Sequence, residues 1–214
     1  MMQIFDFGNE KSDLILIQMV DRHSIKMIDS EVDLIRQHSR QDDFRLVACQ
    51  VEDWNRDLSP WEAPPVFGKE GFGGKAEETL RELRESVAER FNGDNRIILG
   101  GYSLAGLFAL WAAYRMDFIE GVAAASPSVW FPGFLSMAEK ETLKAKRVYL
   151  SLGDKEEKTK NPVMATVGDS IRKLHQIYQD TDGVETVLEW NEGNHFREPE
   201  LRMATGFAWS MTRN

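Results

Sequence analysis

Arg96-Ile-Ile-Leu-Gly-Gly-Tyr-Ser-Leu-Ala-Gly-Leu-Phe-Ala-Leu-Trp-Ala-Ala-Tyr114 is the stretch that decides how the chain is read. Residues 96–100 have the length and apolar character of a buried strand, and residues 104–114 are apolar nearly all round, as a buried helix is. Between them, Gly101-Tyr102-Ser103-Leu104-Ala105 fits the pattern G-x-S-x-[G/A]. A turn from strand to helix in so few residues forces its central serine into a strained backbone conformation. Side chains two positions to either side then collide unless they are small, as Gly101 and Ala105 are. The turn lifts the Ser103 hydroxyl above the sheet edge at the start of a helix, where free N–H groups and the helix dipole favour developing negative charge. A phosphate-binding loop is the competing reading. Leu107-Phe108 stands where a Walker loop needs Lys-Ser/Thr, and a G-x-G-x-x-G pattern is absent.

Outward from this turn the chain alternates short apolar runs with amphipathic ones. Upstream, residues 13–20 and 44–49 read as strands, with a helix over 26–38 between them. Residues 75–91 are the clearest helix, with Ala76, Leu80, Leu83, Val87 and Phe91 on one face. Residues 50–74 read as a long loop rich in Trp, Pro and Gly, of the kind that often carries function. Downstream, strands are expected at 121–125, 146–152 and 184–190, and helices at 164–179 and 198–211. Residues 3–7 offer a possible edge strand. The alternation predicts an α/β fold in one domain over 1–214: a mostly parallel sheet of six or seven strands with helices on both faces. Functional groups in such sheets collect at the carboxyl ends of the strands.

Composition narrows the class without naming a reaction. Asp and Glu outnumber Lys and Arg by 35 to 26, a formal charge of −9. A nucleic-acid footprint or attraction to an anionic membrane is not expected, and strongly anionic substrates are mildly disfavoured. Cys49 is the single cysteine, so neither an intrachain disulfide nor a CxxC metal spacing exists. No metal or cofactor is implied. The amino terminus has no signal-peptide pattern, and no apolar run approaches the ~20 residues of a membrane span, so a cytoplasmic setting is expected. The expected partner is a small-molecule substrate, and nothing in the pattern sets an oligomeric state.

Gly101-Tyr-Ser-Leu-Ala-Gly-Leu-Phe-Ala-Leu110, followed by Ala124-Ala-Ser-Pro-Ser-Val-Trp130, resembles the esterase D and enterochelin-esterase branch of the α/β hydrolases over about residues 75–212. The resemblance implies a compact α/β-hydrolase fold and ester cleavage, of siderophore trilactones, feruloyl esters or acylated thiols. In that fold the order along the chain is serine, acid, histidine. Of the four histidines, His175 and His195 follow Ser103 and any acid. His175 lies inside an expected helix. His195, in Glu192-Gly-Asn-His195, lies between the last strand and the last helix and is the expected base. The acid is expected in Gly153-Asp-Lys-Glu-Glu-Lys158. A spacing of three from the strand-ending glycine selects Glu156, with Asp154 and Glu157 as competitors. Leu104 is the expected oxyanion N–H donor, with a second from Val20 or Asp21 after the first long strand, of which Asp21 is preferred. Trp130, at a strand end, and Trp54 and Trp61, in the long loop, are expected to line the substrate pocket. The leading expectation is a serine carboxylesterase acting on a small or medium acyl ester through an acyl-enzyme. A thioesterase, a small acyl-peptide hydrolase and a catalytically silent binding protein are the alternatives.

Overall fold

A computed structural model describes residues 2–212; residues 1, 213 and 214, the two ends of the expected domain, lie outside it. The elements run β1 (Gln3–Gly8), β2 (Leu14–Val20), α1 (Ile28–Ser39), β3 (Arg45–Gln50), α2 (Trp54–Asp57), β4 (Glu62–Ala63), β5 (Phe72–Gly73), α3 (Ala76–Arg90), β6 (Arg96–Tyr102), α4 (Leu104–Ala112), β7 (Ile119–Ala125), α5 (Phe134–Ala138), β8 (Arg147–Gly153), α6 (Val167–Gln179), β9 (Glu185–Asn191) and α7 (Pro199–Met211). Seven strands form one sheet in the order β1-β3-β2-β6-β7-β8-β9. All neighbours are parallel except β1, which runs antiparallel to β3 at the edge.

The period-2 alternation of strand side chains divides the core in two. Ile15, Ile17 and Met19 of β2, with Ile97 and Leu99 of β6, face the side covered by α3, α4, α5 and α6. Leu14, Leu16 and Val20, with Ile98, face α1 and α7. Helix α4 is wholly buried, which accounts for its lack of a polar face. Strand β6 runs two residues past the expected end, because Gly101 and Tyr102 still pair with Ala124 and Ala125 of β7. Among the described residues no helix is long and apolar enough to cross a membrane.

The segment 50–74 is more ordered than a loop. Asp53 caps α2 by accepting from the Arg56 N–H, and β4 pairs with β5. Side-chain bonds fasten the rest: the Thr79 hydroxyl donates to the Asp57 carbonyl, and the Gly74 N–H donates to the Ser59 hydroxyl. Short elements without hydrophobic periodicity leave no pattern for sequence reasoning to find, so the segment reads as irregular.

The chain leaves β2 for β3 on one side, and β6 returns on the other. The strand order therefore reverses between β2 and β6, and the carboxyl ends there form the natural crevice of an open parallel sheet.

On the opposite face of that crevice's floor, the Gln18 side chain of β2 donates to Glu31 Oε2 of α1 at 3.2 Å, and both residues are buried. Burial raises the Glu31 carboxyl from the ordinary 4.5 to about 8, against the lowering effect of the Gln18 bond and with a further push from Glu200. The fold thus holds this carboxyl neutral. Stability is full below the unfolded value near 4.5 and declines as pH rises towards about 8. Glu31→Gln removes this titration. The variant should gain stability relative to the parent between pH 5 and pH 8, by on the order of a few kcal/mol. Urea unfolding at both pH values measures it; parallel stability–pH curves for parent and variant would refute it.

Candidate active site

Ser103 sits between β6 and α4 at φ 59° and ψ −120°, a region that non-glycine residues rarely occupy. Sterics hold it there. A Cβ on Gly101 would run into the backbone of Ala105 and lie 2.7 Å from its Cβ, so the turn closes only with glycine at that position. The Ser103 N–H donates to the Ala125 carbonyl, and the Ser103 carbonyl accepts from Leu107 and Ser128 N–H groups. Leu104 is the first residue of α4, so its N–H has no acceptor within the helix and points out at the helix start beside the serine.

His195 comes from the segment after β9. Its Nε2 lies 3.0 Å from Ser103 Oγ, and its Nδ1 lies 2.7 Å from Glu156 Oε2. The Tyr102 hydroxyl donates to the His195 carbonyl at 2.6 Å and pins the loop that carries the ring. Glu156 follows β8 and is buried. Its Oε1 accepts from the Gly153 N–H and the Ser126 hydroxyl, each at 2.7 Å, and from Arg202 at 2.9 Å. Burial pushes the Glu156 carboxyl up, but the hydrogen bond and charge of His195, with the Gly153 and Ser126 donors, outweigh it. The carboxyl is held below its usual range. A hydroxyl, an imidazole and a carboxylate thus stand in line, an arrangement that moves a proton from oxygen to ring while the carboxylate fixes the ring's tautomer.

The competing carboxylates are committed elsewhere. Asp154 Oδ1 accepts from the Gly193 N–H at 2.7 Å, and Glu157 pairs with Arg172. His175 lies within α6. Trp54 and Trp130 line the cavity over Ser103, but Trp61 does not. Its Nε1 donates to the Pro132 carbonyl at 2.8 Å, and its ring packs on buried Phe131. An indole with a partner for its N–H and an apolar neighbour is a brace behind the wall, which corrects its expected place in the pocket. Asp21 stands in the turn after β2, where its carboxylate accepts from the N–H groups of His23 and Ser24; it is not among the residues lining the cavity.

The cavity measures about 660 Å³, within the range of small-molecule sites. Its walls are mainly apolar, with Trp54, Phe67, Phe72, Trp130, Val167 and Phe196 over Ser103 and His195. Phe196, 86% exposed, stands edge-on to the His195 ring. Among the described residues no group of three or more His, Cys, Asp and Glu side chains could hold a metal ion.

Sequence reasoning missed Arg202, Ser126 and Ser128. Ser128 Oγ lies 3.4 Å from Ser103 Oγ. Arg202 is 3% exposed. One of its terminal nitrogens donates to Tyr102, Ser126 and Glu156, the other to the carbonyls of Glu192 and Asn194. The signal for it was available: Arg202 stands four and eight residues before Gly206 and Ser210, on the sheet-facing side of α7.

No family model matches the chain, and no curated protein does. Solved structures do. An IroE-like serine hydrolase from Shewanella oneidensis superimposes with a TM-score of 0.77 at 16% identity, covering 97% of this chain and 75% of that one. The siderophore hydrolases EstA and EstB from Aspergillus nidulans give TM-scores of 0.68 and 0.66 at 18% and 19% identity, covering 97% of this chain in both cases and 93% and 88% of theirs. At such identities the likeness establishes the α/β-hydrolase fold.

Arg202→Leu should destabilise the protein by about 3–5 kcal/mol, because Glu156 would be left buried with one charge partner fewer and two loop carbonyls would lose their donor. Arg202→Lys should recover part of this, since an ammonium restores the charge but not the fork. Equal urea midpoints for parent and Leu variant would show that the arginine is dispensable.

Proposed function

We propose that the protein is a serine hydrolase of carboxylic esters, with Ser103 as nucleophile, His195 as general base, Glu156 as the orienting acid and the Leu104 N–H as one oxyanion donor. The observation that carries this reading is the line from Ser103 Oγ to His195 Nε2, at 3.0 Å, and from His195 Nδ1 to Glu156, at 2.7 Å, on the floor of a largely apolar cavity. The structural neighbours described as a serine hydrolase and as siderophore hydrolases support it, as does one described as a ferulic acid esterase.

The chemistry follows from these positions. Ser103 Oγ attacks the ester carbonyl carbon as its proton passes to His195 Nε2. The carbonyl oxygen becomes an oxyanion beside the Leu104 N–H, where the start of α4 favours negative charge. Collapse of the tetrahedral species breaks the bond to the alcohol oxygen, which leaves with the proton from His195. Water then gives a proton to His195 and attacks the acyl group. The carboxylic acid departs, and Ser103 recovers its proton. Glu156 stays ionised throughout and stabilises the imidazolium. The cavity size suits a small or medium acyl ester.

A fluorophosphonate probe should label the parent at Ser103 and leave Ser103→Ala unlabelled, with hydrolysis of 4-nitrophenyl esters falling by ~10⁶ in kcat. Glu156→Gln should lose ~10⁴ in kcat. Asp154→Asn and Glu157→Gln should stay within a few-fold of the parent, because both carboxylates are bound away from the imidazole. A protein that folds, takes no probe and cleaves no ester would establish a silent binding protein instead.

A further inference from the structure

The segment Asp154-Lys155-Glu156-Glu157-Lys158 mixes three carboxylates with two lysines, and the fold treats the two signs differently. Each carboxylate is bound within the protein: Asp154 by the Gly193 N–H, Glu156 by His195, Arg202, Ser126 and Gly153, and Glu157 by Arg172. Lys155 and Lys158 have no ion-pair partner among the described residues. Both are exposed, and both line the cavity over Ser103. The only carboxylate among the lining residues is Glu156, whose charge is already offset by buried Arg202. The two lysines are therefore the lining charges that no carboxylate pairs, in a chain of net charge −9. A local field follows nearby charges rather than the total, so an acidic composition leaves an anionic substrate open.

We propose that the ester substrate carries a carboxylate, and that Lys155 and Lys158 receive this anion at the rim of the cavity while the ester group lies over Ser103. The proposal rests on the esterase reading and specifies its substrate class. The lysines act as specificity determinants and take no part in bond breaking. Their long stems let the ammonium groups follow an anion on either side of the scissile bond.

The test compares matched pairs: 4-carboxyphenyl acetate against 4-carbamoylphenyl acetate places the charge on the alcohol side, and 4-nitrophenyl esters of terephthalic acid and of its monoamide place it on the acyl side. In at least one pair the anionic member should be favoured in kcat/KM by roughly three- to tenfold, as suits solvent-exposed charges. Raising the ionic strength from 20 to 500 mM should erode that preference. Lys155→Glu/Lys158→Glu should invert it, with probe labelling of Ser103 checking that the fold and the serine remain intact. A ratio near one in the parent, or one that the double variant leaves in place, would overturn the proposal. If the neutral esters are cleaved through Ser103 while the ratio stays at one, only this inference fails and the esterase reading stands. If no ester is cleaved, calorimetric binding of 4-acetamidobenzoate against 4-acetamidobenzamide decides the point without turnover. Tighter binding of the anion, lost in the double variant, supports the lysine subsite; equal or absent binding of the two refutes it.

Discussion

Glu156 is the knot that holds the crevice together. A carboxylate this deeply buried is tolerable only when each oxygen is met by donors, and the donors come from four parts of the chain. Gly153 belongs to the end of its own strand, Ser126 to the loop after β7, His195 to the loop after β9, and Arg202 to α7. Arg202 in turn holds the carbonyls of Glu192 and Asn194, and so fixes the segment that carries the imidazole. Gly153 is glycine for the same reason: a Cβ there would strike the Gly193 carbonyl oxygen, and the acid and histidine loops could not approach. One buried ion pair thus sets the distance between acid, base and serine.

How much of this was legible in the sequence depends on how local the cause is. The elbow at Ser103 was readable because its sterics involve Gly101, Ala105 and the serine alone. The strands and α3 were readable from periodicity, which survives any tertiary arrangement. The Asp154, Glu156 and Glu157 group was narrowed only by spacing, since which carboxylate turns inward depends on Arg202 and His195, both about 40 or more residues away. Arg202 itself was passed over because an arginine in an amphipathic helix normally faces water. Trp61 was misplaced because composition identifies a loop near a site without telling which side of the wall a residue takes.

The same distinction between local and summed properties applies to charge. A net charge of −9 speaks of solubility and of long-range association. The interior of a cavity answers to the handful of groups within a Debye length, about 10 Å at moderate salt. At the rim, Lys155 and Lys158 weigh more than carboxylates far off on the surface.

The contacts that complete the crevice join residues far apart in the chain: Ser103 to His195 across 92 positions, Tyr102 to Arg202 across 100. Closing loops of such length costs entropy that grows only with the logarithm of the separation, and the β2–β6 pairing spans 82 positions as well. The elbow needs only β6, α4 and β7, so any state in which these have met but α7 has not docked would carry the strained serine without its histidine held in place. Formation of the elbow and maturation of the crevice are therefore separable events. During refolding, reactivity at Ser103 should lag behind the recovery of helical signal and report the docking of α7, the step that carries Arg202 into place.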